Sequence, residues 1–426
     1  MTPSTLYTLL QSNNIFLSGG AGVGKSYLTS KIIDIFFQNG KNVIALGSTG
    51  ISAVNIGGYT LHSFFIFGIA NSLEELRRSD SRNKKRLNEL KKILTSIDLI
   101  IIDEISMVSS TLMDMIYYRL ESLNYSGRLL VVGDFYQLPP IKKNQNSNAL
   151  FDNLIYAFES SAWDKFNFKP VILNEVKRTN DSKFINILEK IRVGVCDLEV
   201  REYLKSLKNK EVKFKEEPTY LFGTNLEAQQ RNRQKLYSLD GEEALYFWHL
   251  EKLKDVNENR LNSWLKSLPI LETLHIKVKA PVIFSVNSWG KFVNGQRGEV
   301  VELNEEYIVV RSQGKNINVY PHEFELKEIS EDNIEGEVVA TLSQFPIKLA
   351  YAITIHKSQG MSLDNLVCNL DNLFAPNQLY VAISRAVNPK NLKIDYNNHI
   401  NFDSYLNRVI VKNEIVDNFY KSLKWK

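Results

Sequence analysis

Cysteine is nearly absent from this chain: there are only two, Cys196 and Cys368, and each stands alone in its neighbourhood. That scarcity excludes a disulfide framework and a zinc cluster, and a reducing, cytosol-like compartment is the modest expectation. Long apolar runs are missing too. Stretches such as Leu99–Ile102 fall far short of a bilayer span, so no membrane is expected as a partner. The opening MTPSTLYTLLQ lacks the basic region and small-residue cleavage site of a signal peptide, and a cytoplasmic location is expected. Nor does one sign of charge dominate. Lys and Arg number 52 against 48 Asp and Glu, a formal net charge of +4. That is too little to attract a polyanion in bulk, so any nucleic-acid surface must be local.

What is present is enough apolar residue, 44% of 426, to bury more than one core, and two or more domains are the default. NNIFLSGG, the glycine turn Gly22-Val23-Gly24-Lys25-Ser26 and YLTSKIIDIFFQNG read as strand, loop and helix, the helix ending at Gly40. NVIALGS opens a second strand. The short apolar runs Ile97–Ile102 and Leu129–Val132 each end near an acidic residue, and with the helical segments between them they predict an α/β domain over residues 1–175. Residues 71–92 hold eight Lys or Arg and four Asp or Glu, a local surplus equal to that of the whole chain. They form either a solvated helix laced with pairs such as Glu74 with Arg78, or a phosphate contact. A second α/β unit is expected over 176–426. It is interrupted at about 277–345 by short alternating strands that suggest a small inserted β-barrel, with turns at Asn294-Gly295 and Gln313-Gly314. Residues 401–426 read as one terminal amphipathic helix.

The strongest chemical signal is GGAGVGKS. A triphosphate must be held without blocking attack on its last phosphorus, and a glycine turn does this by pointing successive backbone N–H groups inward. Lys25 would place a cation on the terminal phosphates and Ser26 would ligate Mg²⁺ jointly with Asp103, at the end of an apolar strand. Glu104 is then the candidate general base, and Gln137 the group that positions water or reports on the γ-phosphate.

Taken together, GGAGVGKS, STGISAVNIGGYTLHSFF, IIIDEISM, GDFYQLPP, LNEVKR, IHKSQGMS and YVAISRA resemble the Pif (petite integration frequency) family of superfamily 1B DNA helicases, over roughly residues 14–395. Phage Dda and RecD-type helicases are more distant relatives. The resemblance implies an α/β protein with two RecA-like parallel-sheet motor domains of the P-loop NTPase type. A small wedge insertion, about 66–96, lies in the first domain and the small β-barrel insertion in the second. ATP and Mg²⁺ would sit in the cleft between the lobes, with single-stranded DNA across the top, moved 5′ to 3′.

The nucleotide-binding set it implies is Gly19, Gly20, Ala21, Gly22, Val23, Gly24, Lys25, Ser26 and Tyr27, with Gln137, Arg178, Gly360 and Arg385. Arg178 in LNEVKR and Arg385 in YVAISRA match the two arginines extended to the γ-phosphate. Lys25, Asp103, Glu104, Gln137, Arg178 and Arg385 form the catalytic group. Nucleic-acid contacts would come from Ser48, Thr49, Gly50, Thr60, His62 and Phe64 in the first lobe, and from Thr354, His356 and Lys357 in the second. Small hydroxyl residues suit phosphates, and His62 with Phe64 and Phe65 suits stacking on bases.

One departure concerns adenine. Relatives place a glutamine about a dozen residues before the first strand, but here that region falls at Thr2-Pro3 and Gln11 is too close to replace it. Either other nucleotides are tolerated or backbone near residues 1–13 supplies the hydrogen bonds. Val23 stands where relatives often have threonine, without loss of a phosphate ligand.

The expected activity is an ATP-dependent helicase acting in replication, recombination or repair as a monomer on single-stranded DNA and duplex junctions, alongside single-strand-binding or replication proteins. A translocase that does not separate strands and a non-motor ATP switch are the rival readings.

Overall fold

The computed structural model describes the chain except residues 49–51, 54–58, 69, 141–154, 215, 289–290, 293, 331–332 and 424–426. Six parallel strands build the first lobe: β1 (Ile15–Gly19), β2 (Val43–Gly47), β3 (Tyr59–Thr60), β4 (Leu99–Asp103), β5 (Arg128–Gly133) and β6 (Lys169–Leu173), in the order β3-β2-β4-β5-β1-β6. Alternation along the strands divides the core. Ile15, Leu17, Leu99, Ile101, Leu130 and Val132 face helices α1 (Pro3–Leu10) and α2 (Lys25–Gln38). Phe16, Ile100, Ile102 and Val131 face the opposite cluster, with Phe135 and Trp163. Helix α2 closes as expected: Gly40 takes φ +68° and Lys41 N–H reaches back to Phe36 O at 3.0 Å.

The basic stretch folds as two helices, Leu73–Asp80 and Lys84–Ser96. Asp80 anchors the first by accepting two hydrogen bonds, each 2.8 Å, from buried Arg119, whose Nε also donates to Phe65 O. Glu74 and Arg78 form the anticipated exposed pair at 2.5 Å.

The second lobe has four parallel strands, ordered Ala352–Thr354, Thr219–Phe222, Leu366–Asn369 and Leu392–Asp395. Between the first two in sequence lies an antiparallel module. It contains a five-stranded sheet over Pro281–Leu349, the long hairpin His322–Ser330 with Asn333–Gln344, and the strands Ala244–Phe247 and His249–Lys252. The antiparallel elements therefore begin well ahead of residue 277. Gln313 (φ +50°) and Gly314 (φ +75°) make the two-residue hairpin turn that the strand twist favours.

The expected single terminal helix is corrected to two, Phe402–Val409 and Glu414–Ser422. The second crosses back to the first lobe. Val416, Phe419 and Tyr420 pack in its aromatic cluster, Phe419 stacked on Phe158 at 4.0 Å. An amphipathic face that covers two different cores cannot be one straight rod. Among the described residues no helix is long and apolar enough to cross a membrane.

Candidate nucleotide cleft and nucleic-acid track

The phosphate loop joins the end of β1 to the start of α2. Gly22 takes φ +77°, and a Cβ there would lie 2.6 Å from Arg178 Cβ, so glycine is required both by conformation and by this close approach. Lys25 opens α2 and its ammonium donates to Gly19 O (2.7 Å) and Gly20 O (2.9 Å), tying down the loop's own carbonyls. Burial pushes this ammonium below its ordinary range, against the attraction of Asp134, Glu104 and Asp103. Val23 is buried, while Ser26 and Tyr27 stand exposed on the first turn of α2.

Asp103 ends β4, parallel to the loop-bearing strand and separated from it by β5. Its Oδ1 accepts the Glu104 N–H at 2.9 Å, and Glu104 is held at φ +53°, a left-handed conformation that a non-glycine residue adopts at a cost. Burial raises the Asp103 carboxyl, and burial together with Asp103 pushes Glu104 up to about 7, opposed by Lys25 and Arg385. Two adjoining carboxyls whose raised state Lys25 and Arg385 only partly offset fit a hard divalent cation.

Second-lobe groups reach this cleft from several directions. Tyr380 Oη accepts the Ala21 N–H of the phosphate loop at 2.8 Å, and Lys177 N–H donates to Gly22 O at 2.7 Å. Arg178 lies against Gly22, but its guanidinium is held by Ser362 Oγ (2.9 Å) and Ser384 O (2.8 Å). Burial, and then the charge of Arg385, push Arg178 down to about 9. Arg385 is fully buried and donates to Val381 O, Ser384 Oγ and Ser358 O, within electrostatic reach of Glu104. Gln137, also buried, accepts from Gln359 Nε2 across the lobes at 3.5 Å. Gly360 follows that residue at φ +77°, exposed.

Sequence reasoning missed a buried ion pair between the lobes. Asp134, wholly buried, receives Arg192 Nε at 3.0 Å and a second guanidinium nitrogen at 2.9 Å. Arg192 lies over the Tyr136 ring at 4.6 Å, Tyr136 stacks on Tyr420 at 4.9 Å, and Tyr420 Oη is 2.7 Å from Ser18 Oγ of β1. Asp134 and Tyr380 sat inside quoted motifs. Arg192 had no signal beyond a place on a helix.

The nucleic-acid candidates divide. Ser48 Oγ is buried without a hydrogen-bond partner among the described residues, whereas Thr49 and Gly50 lie outside them. Thr60 caps the one-turn helix Leu61–Phe64, and His62 is exposed with its ring edge-on to Phe67 at 5.9 Å. Two candidates are covered in this structure. Phe64 is 4% exposed and packs with Phe65 in the first-lobe core, so its faces are not open to a base. Thr354 is equally covered, and its hydroxyl accepts the Lys357 N–H at 3.3 Å, so it shapes the turn that presents His356 and Lys357. His356 is half-buried and Lys357 exposed. Lys348, which the sequence did not point to, adds a second ammonium near Lys357; burial and that neighbour push it down to about 7.

The sequence profile of the PIF1-like helicase family matches residues 6–202, and a second helicase profile matches residues 297–420. The ATP-dependent DNA helicase Pif1 of Campylobacter jejuni is 42% identical over 98% of this chain and 96% of its own length. Pif1 from a Bacteroides species, solved with ADP-AlF4, superposes with TM-score 0.81 at 28% identity, covering 99% of this chain and 96% of that one. Bacteroides Pif1 bound to single-stranded DNA superposes with TM-score 0.67 at 28% identity, covering 99% and 96%. The chain belongs to the PIF1-like helicase family.

Proposed function

We propose that this chain is an ATP-dependent DNA helicase that moves 5′ to 3′ on single-stranded DNA and separates the duplex ahead of it. The observation that carries this reading is the direct seat of second-lobe groups on the phosphate loop: Tyr380 on the Ala21 N–H and Arg178 against Gly22. A loop touched by both lobes converts the presence of phosphate into relative lobe movement, which a binding switch confined to one lobe does not need.

In this reading Lys25 leaves the loop carbonyls for the terminal phosphates, and Ser26 with Asp103 holds Mg²⁺, which supplies charge neutralisation when bound. Glu104, its carboxyl already raised by burial, takes the proton of the attacking water. Gln137 and Gln359 connect that water to the second lobe, and Arg178 and Arg385 turn from their resting partners to the γ-phosphate as the cleft closes. Beside the loop a cavity of about 1230 Å³, lined by Met1, Thr5, Leu9, Leu173, Val176 and Tyr380 among others, is large enough for a nucleoside. With no glutamine of the family's spacing, backbone near residues 1–13 would read the base, and selectivity for adenine over guanine would be shallow. The cleft is complete within one chain, so a monomer suffices, meeting single-strand-binding or replication proteins through the DNA they share.

Duplexes with a 5′ or a 3′ single-stranded tail test the proposal. Strand separation with ATP on the 5′-tailed duplex alone is expected, with GTP supporting a sizeable fraction of the rate. Unwinding of only the 3′-tailed duplex contradicts it, as does brisk DNA-stimulated hydrolysis with no strand separation on either.

A further inference from the structure

Phe374 is an exposed aromatic of the second lobe, as are Tyr237, Phe247 and Tyr320, and of these four it is the one whose ring lies against a residue of the candidate track, His356. It lies in the loop after strand Leu366–Asn369, on the carboxyl side of the parallel sheet, where open α/β sheets bind their ligands. Leu373 beside it turns into the second-lobe core, yet Phe374 is 68% exposed. Its ring lies 5.8 Å from that of His356 at an interplanar angle of only 16°.

The loop is built to hold that ring out. Gln378, itself 1% exposed, accepts the Phe374 N–H at 2.7 Å and the Ala375 N–H at 3.0 Å through one oxygen. Asn372 donates to Glu227 at 2.6 Å, and its carbonyl approaches so close to Gly223 that a Cβ there would lie 2.3 Å away. Asp371 accepts the Asn397 N–H at 2.7 Å. A greasy ring fixed in water by five restraints of this kind gains nothing for folding, and rigid exposed aromatics bind at low entropic cost. Lys357, exposed and one residue beyond His356, gives the same segment a cation for a phosphate backbone.

We infer that Phe374 and His356 form a base-stacking platform for single-stranded DNA in the second lobe, with Lys357 on an adjoining phosphate. This rests on the helicase reading of the same track. It also supplies what the burial of Phe64 removes, an accessible aromatic face. Every base has a π-face, so such a platform grips without reading sequence and can release and retake successive nucleotides.

The test measures binding of the full chain to fluorescent oligo-dT, and to the same strand with one abasic site placed at each position in turn. Phe374→Ala should weaken oligo-dT binding by about 5- to 150-fold, the range for loss of one stacked base. Phe374→Trp should bind like the parent or tighter, which separates ring chemistry from loop damage. At one abasic position the parent should weaken by a similar factor while Phe374→Ala should not weaken further. The inference is overturned if Phe374→Ala binds oligo-dT within about twofold of the parent, or if every abasic position weakens it as much as the parent. Those outcomes leave the helicase reading standing; failure of the parent to bind single-stranded DNA overturns both.

Discussion

The nucleotide cleft and the nucleic-acid track differ in how their residues are held. In the cleft the candidates are clasped: Lys25 by two loop carbonyls, Arg385 by three acceptors, Glu104 between Asp103 and two cations. Along the track they are half presented, with His62, Phe374 and Lys357 exposed beside Phe64 and Thr354, which are not. Phosphate chemistry needs fixed charges at fixed places, and the protein spends buried polar networks on it. A moving strand needs contacts that form and break at every step, and exposed rings and flexible cations suit that need.

The comparison breaks first at Lys25. Replacing it with Ala should remove DNA-stimulated ATP hydrolysis altogether, measured by phosphate release at saturating oligo-dT. Turnover at the parent rate would take the phosphate site away from this loop.

Next comes the buried pair. Arg192→Ala leaves Asp134 charged and enclosed, and should cost about 3–5 kcal/mol in chemical unfolding. A loss below about 1 kcal/mol would show that the lobes are held together elsewhere.

A finer contrast lies within one turn of helix. Phe64→Ala should lower stability by about 3–5 kcal/mol, as a core deletion does. His62→Ala should leave stability within about 0.5 kcal/mol and weaken oligo-dT binding about fivefold or more. If Phe64→Ala instead unfolds like the parent and loses DNA, the burial assigned to that ring is wrong.

Much of this was legible because the chemistry is local. A phosphate loop is one run of residues between a strand and a helix, and the acidic pair follows directly on an apolar strand, so spacing alone placed both. Exposure is not local. Nothing in the dipeptide Phe64-Phe65 tells which ring the core takes; both are taken, because β3 and helix Ser110–Ser122 close over them with Arg119 reaching Phe65 O. Arg192 and Asp134 are 58 residues apart, and only the closing of one lobe on the other makes them partners. The amphipathic pattern at the end of the chain is shared by two helices, and the destination of the second, the other lobe's aromatic cluster, lies outside what a periodicity can show. The early strands Ala244–Phe247 and His249–Lys252 were missed because each is four residues long and pairs with strands far along the chain.

The central claim is that the second lobe completes the hydrolytic site, and Arg385 tests it most directly. The Arg385→Lys variant keeps the charge and removes the guanidinium fork, so nucleotide affinity without DNA should stay within a few-fold of the parent while the DNA-stimulated turnover number falls by about 10³–10⁵. A variant that binds nucleotide normally and hydrolyses it at the parent rate on saturating single-stranded DNA would contradict the account.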